Sequence, residues 1–140
     1  MVDYSHVGIV VIEDGRPYVI HVDPSNNPIT DRVVKEPLQI LITPKRIRGA
    51  SVFRLVDAPQ LNKAILEASL TAKRFLREQL PFDHEFDLAT PQKLYCTELI
   101  WRAYLTAGID LCPGSFGQGR KYLLPADLIR SGLLQEVITH

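Results

Sequence analysis

Charge of one sign is missing from this sequence. Its 140 residues carry 16 Lys and Arg against 16 Asp and Glu, a formal net charge of zero with histidine neutral. That balance removes any global electrostatic case for binding nucleic acid or an anionic membrane. Long apolar runs are missing too. None approaches the roughly 20 residues of a membrane-spanning helix, and no basic-then-apolar leader opens the chain. The expectation is a cytoplasmic protein as the chain stands, or an exported one if an upstream segment belongs to it. Cysteine is scarce: Cys96 and Cys112 are the two. They are too few for a disulfide framework and lack the paired spacing of a zinc ribbon. A bridge between them is disfavoured because a helix is expected to separate them. Repeats, low-complexity stretches and interdomain linkers are lacking as well. What is present is 46% apolar, enough for one domain over residues 1–140 with a core of its own.

Residues 6–13 and 17–23 are β-branched runs on either side of Asp14-Gly15, a two-residue hairpin signal. With that turn, Glu13 faces Arg16. Counting back sets Gly8 opposite His21 and His6 opposite Asp23. Alternate residues share a strand face, so His6, Gly8, His21 and Asp23 project together. His6 and His21 become diagonal neighbours, roughly 7–8 Å apart at the backbone, with Gly8 leaving room between them. Residues 30–36 read as a short strand, followed by an apolar segment at 38–43, a basic loop at 44–49 and a strand at 51–56. Asp57 opens a helix with Gln60 as its capping-box partner. Leu61, Ala64, Ile65, Ala68, Ala72, Phe75 and Leu76 form its apolar stripe, and Pro81 ends it.

An acidic and aromatic loop at 82–87 leads toward Cys96. Cys96 opens a second helix that runs to about Ala107, with Gly108 as its C-cap. Cys96, Leu99, Ile100, Ala103 and Ala107 share the buried stripe of that helix. A loop at 114–119, a short helix at 126–131 and a strand at 134–139 complete the chain. The pattern predicts an α+β fold, with an antiparallel sheet packed against the helix that starts at Cys96.

A cysteine in the first turn of a helix differs from one in mid-core. The unpaired N–H groups and the helix dipole favour an anion there. A strand histidine near it makes a nucleophile, and a second polar group on the same strand face completes a thiol-hydrolase triad. Cys96, His6 and His21 are the candidates. The Cys96 backbone N–H is the natural first oxyanion donor. Two rival readings remain. Zinc held by Cys96, His6 and His21 is one; a catalytically inactive binding module is the other.

Ser5-His6-Val7-Gly8-Ile9-Val10, followed after a turn by Val19-Ile20-His21-Val22, resembles the His-then-His strands of the NlpC-type papain-like cysteine peptidases. Tyr95-Cys96-Thr97-Glu98-Leu99-Ile100, with Ala107-Gly108-Ile109-Asp110-Leu111 beyond it, resembles their nucleophile helix. The His strands precede the Cys here, so the chain is similar to the circularly permuted branch, the YaeF/YiiX-like proteins. Phe82-Asp83, Phe86-Asp87 and Tyr122-Leu123-Leu124-Pro125-Ala126-Asp127-Leu128 fit that branch too. The resemblance implies a permuted papain-like domain that lacks an N-terminal strand. It implies Cys96 as nucleophile, His6 as general base and His21 as third residue, with Asp23 the fallback orienter. It implies peptidase, amidase or acyltransferase chemistry on cell-wall-type peptides or acyl-lipid amides and esters, with no cofactor. The short lead before His6 predicts a homodimer that covers an exposed sheet edge, or weak activity.

Other residues receive plainer readings. Glu98 and Arg102 are spaced as a helix-surface pair, with bracing of the preceding loop as the minor alternative. Lys45, Arg46 and Arg48 read as a solvated loop, His84 as a solvated loop residue, Trp101 as packing and Cys112 as structural.

Overall fold

The computed structural model describes residues 4–24, 31–56, 58, 60–113 and 123–139. The hairpin forms in the expected register. Strand β1 (Ile9–Glu13) pairs antiparallel with β2 (Arg16–Val22), with Glu13 opposite Arg16 and Ile9 opposite Ile20. Asp14 and Gly15 both take positive φ, 52° and 74°, as a tight turn matched to strand twist requires. The paired strand starts at Ile9, so His6 stands just ahead of it. Gly8 sits close against β2: a Cβ there would lie 2.5 Å from Val19 Cγ1 and 3.1 Å from His21 Cβ. The missing side chain serves close approach more than open space.

Strand β3 (Val33–Pro37) pairs with the other edge of β2, setting Val34 opposite His21 and Glu36 opposite Val19. The sheet order is β1-β2-β3. A four-residue helix, α1 (Leu38–Leu41), follows. Strand β4 (Ser51–Leu55) pairs with β5 (Leu134–Thr139), with a register shift between Val52 and Phe53. The antiparallel sheet read from the sequence is therefore two sheets among the described residues, of three strands and two.

Helix α2 (Leu61–Glu78) buries Ala64, Ala68, Ala72 and Phe75. Leu61, Ile65 and Leu76 of its predicted stripe are only partly buried. The alanines keep that face thin, and α3 (Cys96–Leu105) packs against it with Ala103 fully buried. The expected Asp57 cap lies outside the described residues. Gln60 itself is the N-cap, at φ 52°. Helix α3 also packs on β2, and its Leu99 and Ile100 share one core with Ile9, Val11, Ile20, Val22 and Val33. Helix α3 stops at Leu105 with Thr106 as its C-cap, short of the expected Ala107 and its Gly108 cap; Gly108, at φ 82°, lies in the turn beyond. Helix α4 (Pro125–Arg130) precedes β5. The predicted loops at 25–28 and 114–119 lie outside the described residues. No helix among the described residues is long and apolar enough to cross a membrane.

Candidate active site

The central strand β2 carries His21, which is 2% exposed. Strands β1 and β3 flank it. By register, His21 faces Val34, and Glu36 lies two residues further along β3 on the same face. On the other side, His6 lies two residues before Gly8. His6 and Glu36 are thus diagonal neighbours of His21 on opposite flanks, within reach of long or planar side chains.

The contacts follow that geometry. His6 Nε2 lies 2.8 Å from His21 Nδ1, and the two rings meet edge to face with centroids 5.0 Å apart. His21 Nε2 lies 2.6 Å from Glu36 Oε2. Arg46 then closes on the same carboxylate, donating from one guanidinium nitrogen to Oε1 at 2.5 Å and from the other to Oε2 at 3.1 Å. An ionised carboxylate only accepts, so His21 Nε2 carries the proton of its bond to Glu36. A neutral His21 then accepts at Nδ1 from His6 Nε2–H. His6 Nδ1 is left as the unprotonated nitrogen, a base with its lone pair open. With both rings neutral, these contacts from four segments fit this tautomer.

The electrostatics agree. Burial pushes the His6 imidazole below the ordinary histidine value, and the adjacent His21 pushes the same way; Asp23 and Glu36 pull it back up, and Arg46 adds a smaller push down. The bond from Arg46 holds the Glu36 carboxyl below its usual range against the cost of burial, with help from His21. Asp23 acts on His6 through charge, whereas the ring contact belongs to His21.

Cys96 is the first residue of α3 and is half-buried. Tyr95, ahead of it, is extended at φ −98° and ψ 170°. Its backbone N–H donates to Glu98 Oε1 at 3.4 Å, and its hydroxyl accepts from the Leu123 N–H at 2.5 Å. Burial raises the Tyr95 hydroxyl far above its usual range. The loop ahead is tied down by Asp83, which is 1% exposed. Its carboxylate accepts from the backbone of Glu85 and Asp87, and its own N–H donates to Leu94. The sulfur of Cys96 lies 3.8 Å from Thr97 Oγ1. The structure joins His6 to His21, and it shows no hydrogen bond from Cys96 to either ring among the described residues.

Three residues exceed their sequence readings. Glu36 was an unremarked strand position, and Arg46 belonged to a loop read as solvated; Glu36 bonds His21, and Arg46 bonds Glu36. Glu98 is not at the surface: it is fully buried, with Oε2 accepting from Arg102 Nε at 2.7 Å. Of the rest, Trp101 donates to Asp110 Oδ1 at 2.8 Å. His84 is exposed and lies 2.8 Å from Asp31 Oδ2. No disulfide joins Cys96 and buried Cys112.

A family profile described as the permuted papain-like amidase enzymes, YaeF/YiiX, C92 family, matches residues 2–138. The protein YiiX of Escherichia coli (strain K12), described as uncharacterized, is 32% identical over 105 residues, which are 75% of this chain and 46% of that protein. The chain spans about half the length of that curated relative. A crystal structure of yiiX from Escherichia coli O157:H7, described as a metalloprotein, matches with a TM-score of 0.73 at 21% identity. The match covers 98% of this chain and 83% of the other, and it is a likeness of fold.

Proposed function

The chain belongs to the permuted papain-like amidases of the YaeF/YiiX, C92 family, and on that premise we propose that it is a thiol hydrolase working through an acyl-enzyme on Cys96. Supporting this most is the chain of contacts from Arg46 through Glu36 and His21 to His6, which leaves His6 Nδ1 as a base with a defined tautomer. The thiol of Cys96 gives its proton to His6 Nδ1 as the sulfur attacks an amide or ester carbonyl. The backbone N–H of Cys96 faces the developing oxyanion. The tetrahedral adduct collapses, the bond to nitrogen or oxygen breaks, and His6 returns the proton to the leaving group. Water, deprotonated by His6, then attacks the thioester; the C–S bond breaks, the acid is released and His6 returns the proton to the Cys96 sulfur. His21 and Glu36 hold the imidazolium through each transfer. Nucleophile and base commonly tighten their contact only with substrate bound. The substrate class we propose is a cell-wall-type peptide or an acyl-lipid amide or ester.

The zinc reading fits these residues poorly. His21 commits Nδ1 to His6 and Nε2 to Glu36, and both Glu36 oxygens hold Arg46. Among the described residues no three His, Cys, Asp or Glu side chains gather as a metal site. The test is the alkylation rate of Cys96 by iodoacetamide in a Cys112→Ala background, with and without chelator. His6→Ala is expected to slow alkylation near pH 7 by about 10²-fold or more. A rate unchanged by His6→Ala overturns the hydrolase reading in favour of an inactive binding module. A rate that rises only on chelation favours the metal.

A further inference from the structure

Glu98 occupies a position where packing alone calls for an apolar side chain. Its neighbours on the inward side of α3 are Leu99, Ile100, Trp101 and Ala103. It is fully buried, and burying a carboxylate is costly. The charged groups that face it are Arg102 on its own helix and Asp83 on the loop before it. Each of its two oxygens has its own task. Oε1 accepts from the Tyr95 N–H, the residue that sets the entry into α3. Oε2 accepts from Arg102, whose guanidinium also donates to the Leu88 carbonyl of the preceding loop. One carboxylate therefore links the start of the helix, its second turn and the 82–94 loop.

We propose that Glu98 is the positioning residue of the nucleophile: it fixes the first turn of α3, and with it Cys96 and the Cys96 backbone N–H, against the loop that leads into them. This rests on the nucleophile reading of Cys96. Burial raises the Glu98 carboxyl to about 7 against the pull of Arg102, so the clamp is assembled in its ionised form as pH rises through neutrality. A leucine would fill the space and hold neither arm. The expense of the buried charge is understandable where a backbone N–H must stand at a fixed place, since a displacement of about 1 Å can cost about 10²-fold in rate.

The full chain with Cys112→Ala serves for the test, read by iodoacetamide alkylation of Cys96 between about pH 6 and pH 9. Glu98→Gln keeps an acceptor for the Tyr95 N–H but turns a donor toward Arg102; it should slow alkylation by about tenfold and alter its pH profile. Glu98→Ala loses both arms and should slow it by about 10²-fold, with faster amide exchange at Tyr95, Cys96 and Thr97. Arg102→Gln breaks the same arm from the other side, and carries the test if Glu98→Ala does not fold. Folded variants that alkylate at the parent rate with the parent pH profile overturn the proposal, even if their melting temperature falls. The nucleophile reading fails in a different way: Cys96 of the parent chain is then indifferent to His6→Ala, whatever amide exchange shows at Glu98.

Discussion

At the scale of single residues, the site turns on which nitrogen carries which proton. Glu36 can only accept, and that one fact propagates through His21 to leave Nδ1 of His6 open. Under the proposed mechanism Glu36 lies two contacts from the base His6, through His21, so its loss should weaken that base without abolishing it. We expect Glu36→Gln to lower turnover by about ten- to a hundredfold, the scale for the outer partner of a working imidazole, with KM little changed. The pH profile gives the sign. Glu36 raises the His6 value and burial lowers it, so removing the charge should move the acid limb of the profile to lower pH. A limb that moves upward, or a turnover unchanged, removes Glu36 from the relay.

At the scale of elements, the hairpin and helix α3 solve different problems. The β1–β2 turn sets a register, and register alone puts His6 and Glu36 diagonal to His21 on its two sides. Gly8 is the point where that arrangement has no slack. In Gly8→Ala the new methyl would stand 2.5 Å from Val19 Cγ1 and 3.1 Å from His21 Cβ. Overpacking of this kind costs about 1–3 kcal/mol, and relief requires Val19 to turn its methyl away or the chain to shift beside His21. Urea midpoints should show that loss, together with slower Cys96 alkylation. A variant as stable and as reactive as the parent would show that the strands absorb the methyl freely. Helix α3 instead depends on its buried capping interaction, because the turn before Cys96 is set by Glu98 and Arg102 rather than by a surface cap.

At the scale of the whole molecule, buried ionisable groups shape stability against pH. The Glu98 carboxyl is raised when folded, so between its ordinary 4.5 and about 7 the folded chain binds more protons than the unfolded one. Stability from this group is full below 4.5 and falls as pH rises through that window, by up to about 3 kcal/mol. His6 is lowered when folded, so its contribution runs the other way and is lost on acidification below 6.5. We expect the urea midpoint of Glu98→Gln to fall less between pH 5 and pH 7.5 than that of the parent; an equal fall assigns the slope elsewhere. The edge of the three-stranded sheet is a second global feature. Strand β1 pairs only with β2 among the described strands, and Val10 and Ile12 on it are 37% and 63% exposed. Exposed edges invite pairing, and we propose a homodimer across β1. Sedimentation should show a concentration-dependent dimer that a charged Ile12→Lys edge dissociates; a monomer throughout sinks that proposal.

The sequence by itself determined whatever depends on neighbours along the chain. Asp14-Gly15 requires positive φ at two consecutive residues, so the turn, the β1–β2 register and the His6–His21 diagonal could be counted from it. The start of α3 at Cys96 and the last strand were legible for the same local reasons, whereas the helix stops at Leu105, two residues before the end expected from Gly108. Only the tertiary structure decided what lies across a long connection. Nothing in residues 23–32 states the register of β3 on β2, so Glu36 could not be placed beside His21. Nor could a loop rich in Lys and Arg reveal that Arg46 folds back onto that carboxylate. The spacing of Glu98 and Arg102 suits a solvated helix face as well as a buried one. Burial is a property of what packs against a helix, here α2 and the 82–94 loop, and not of the helix's own spacing.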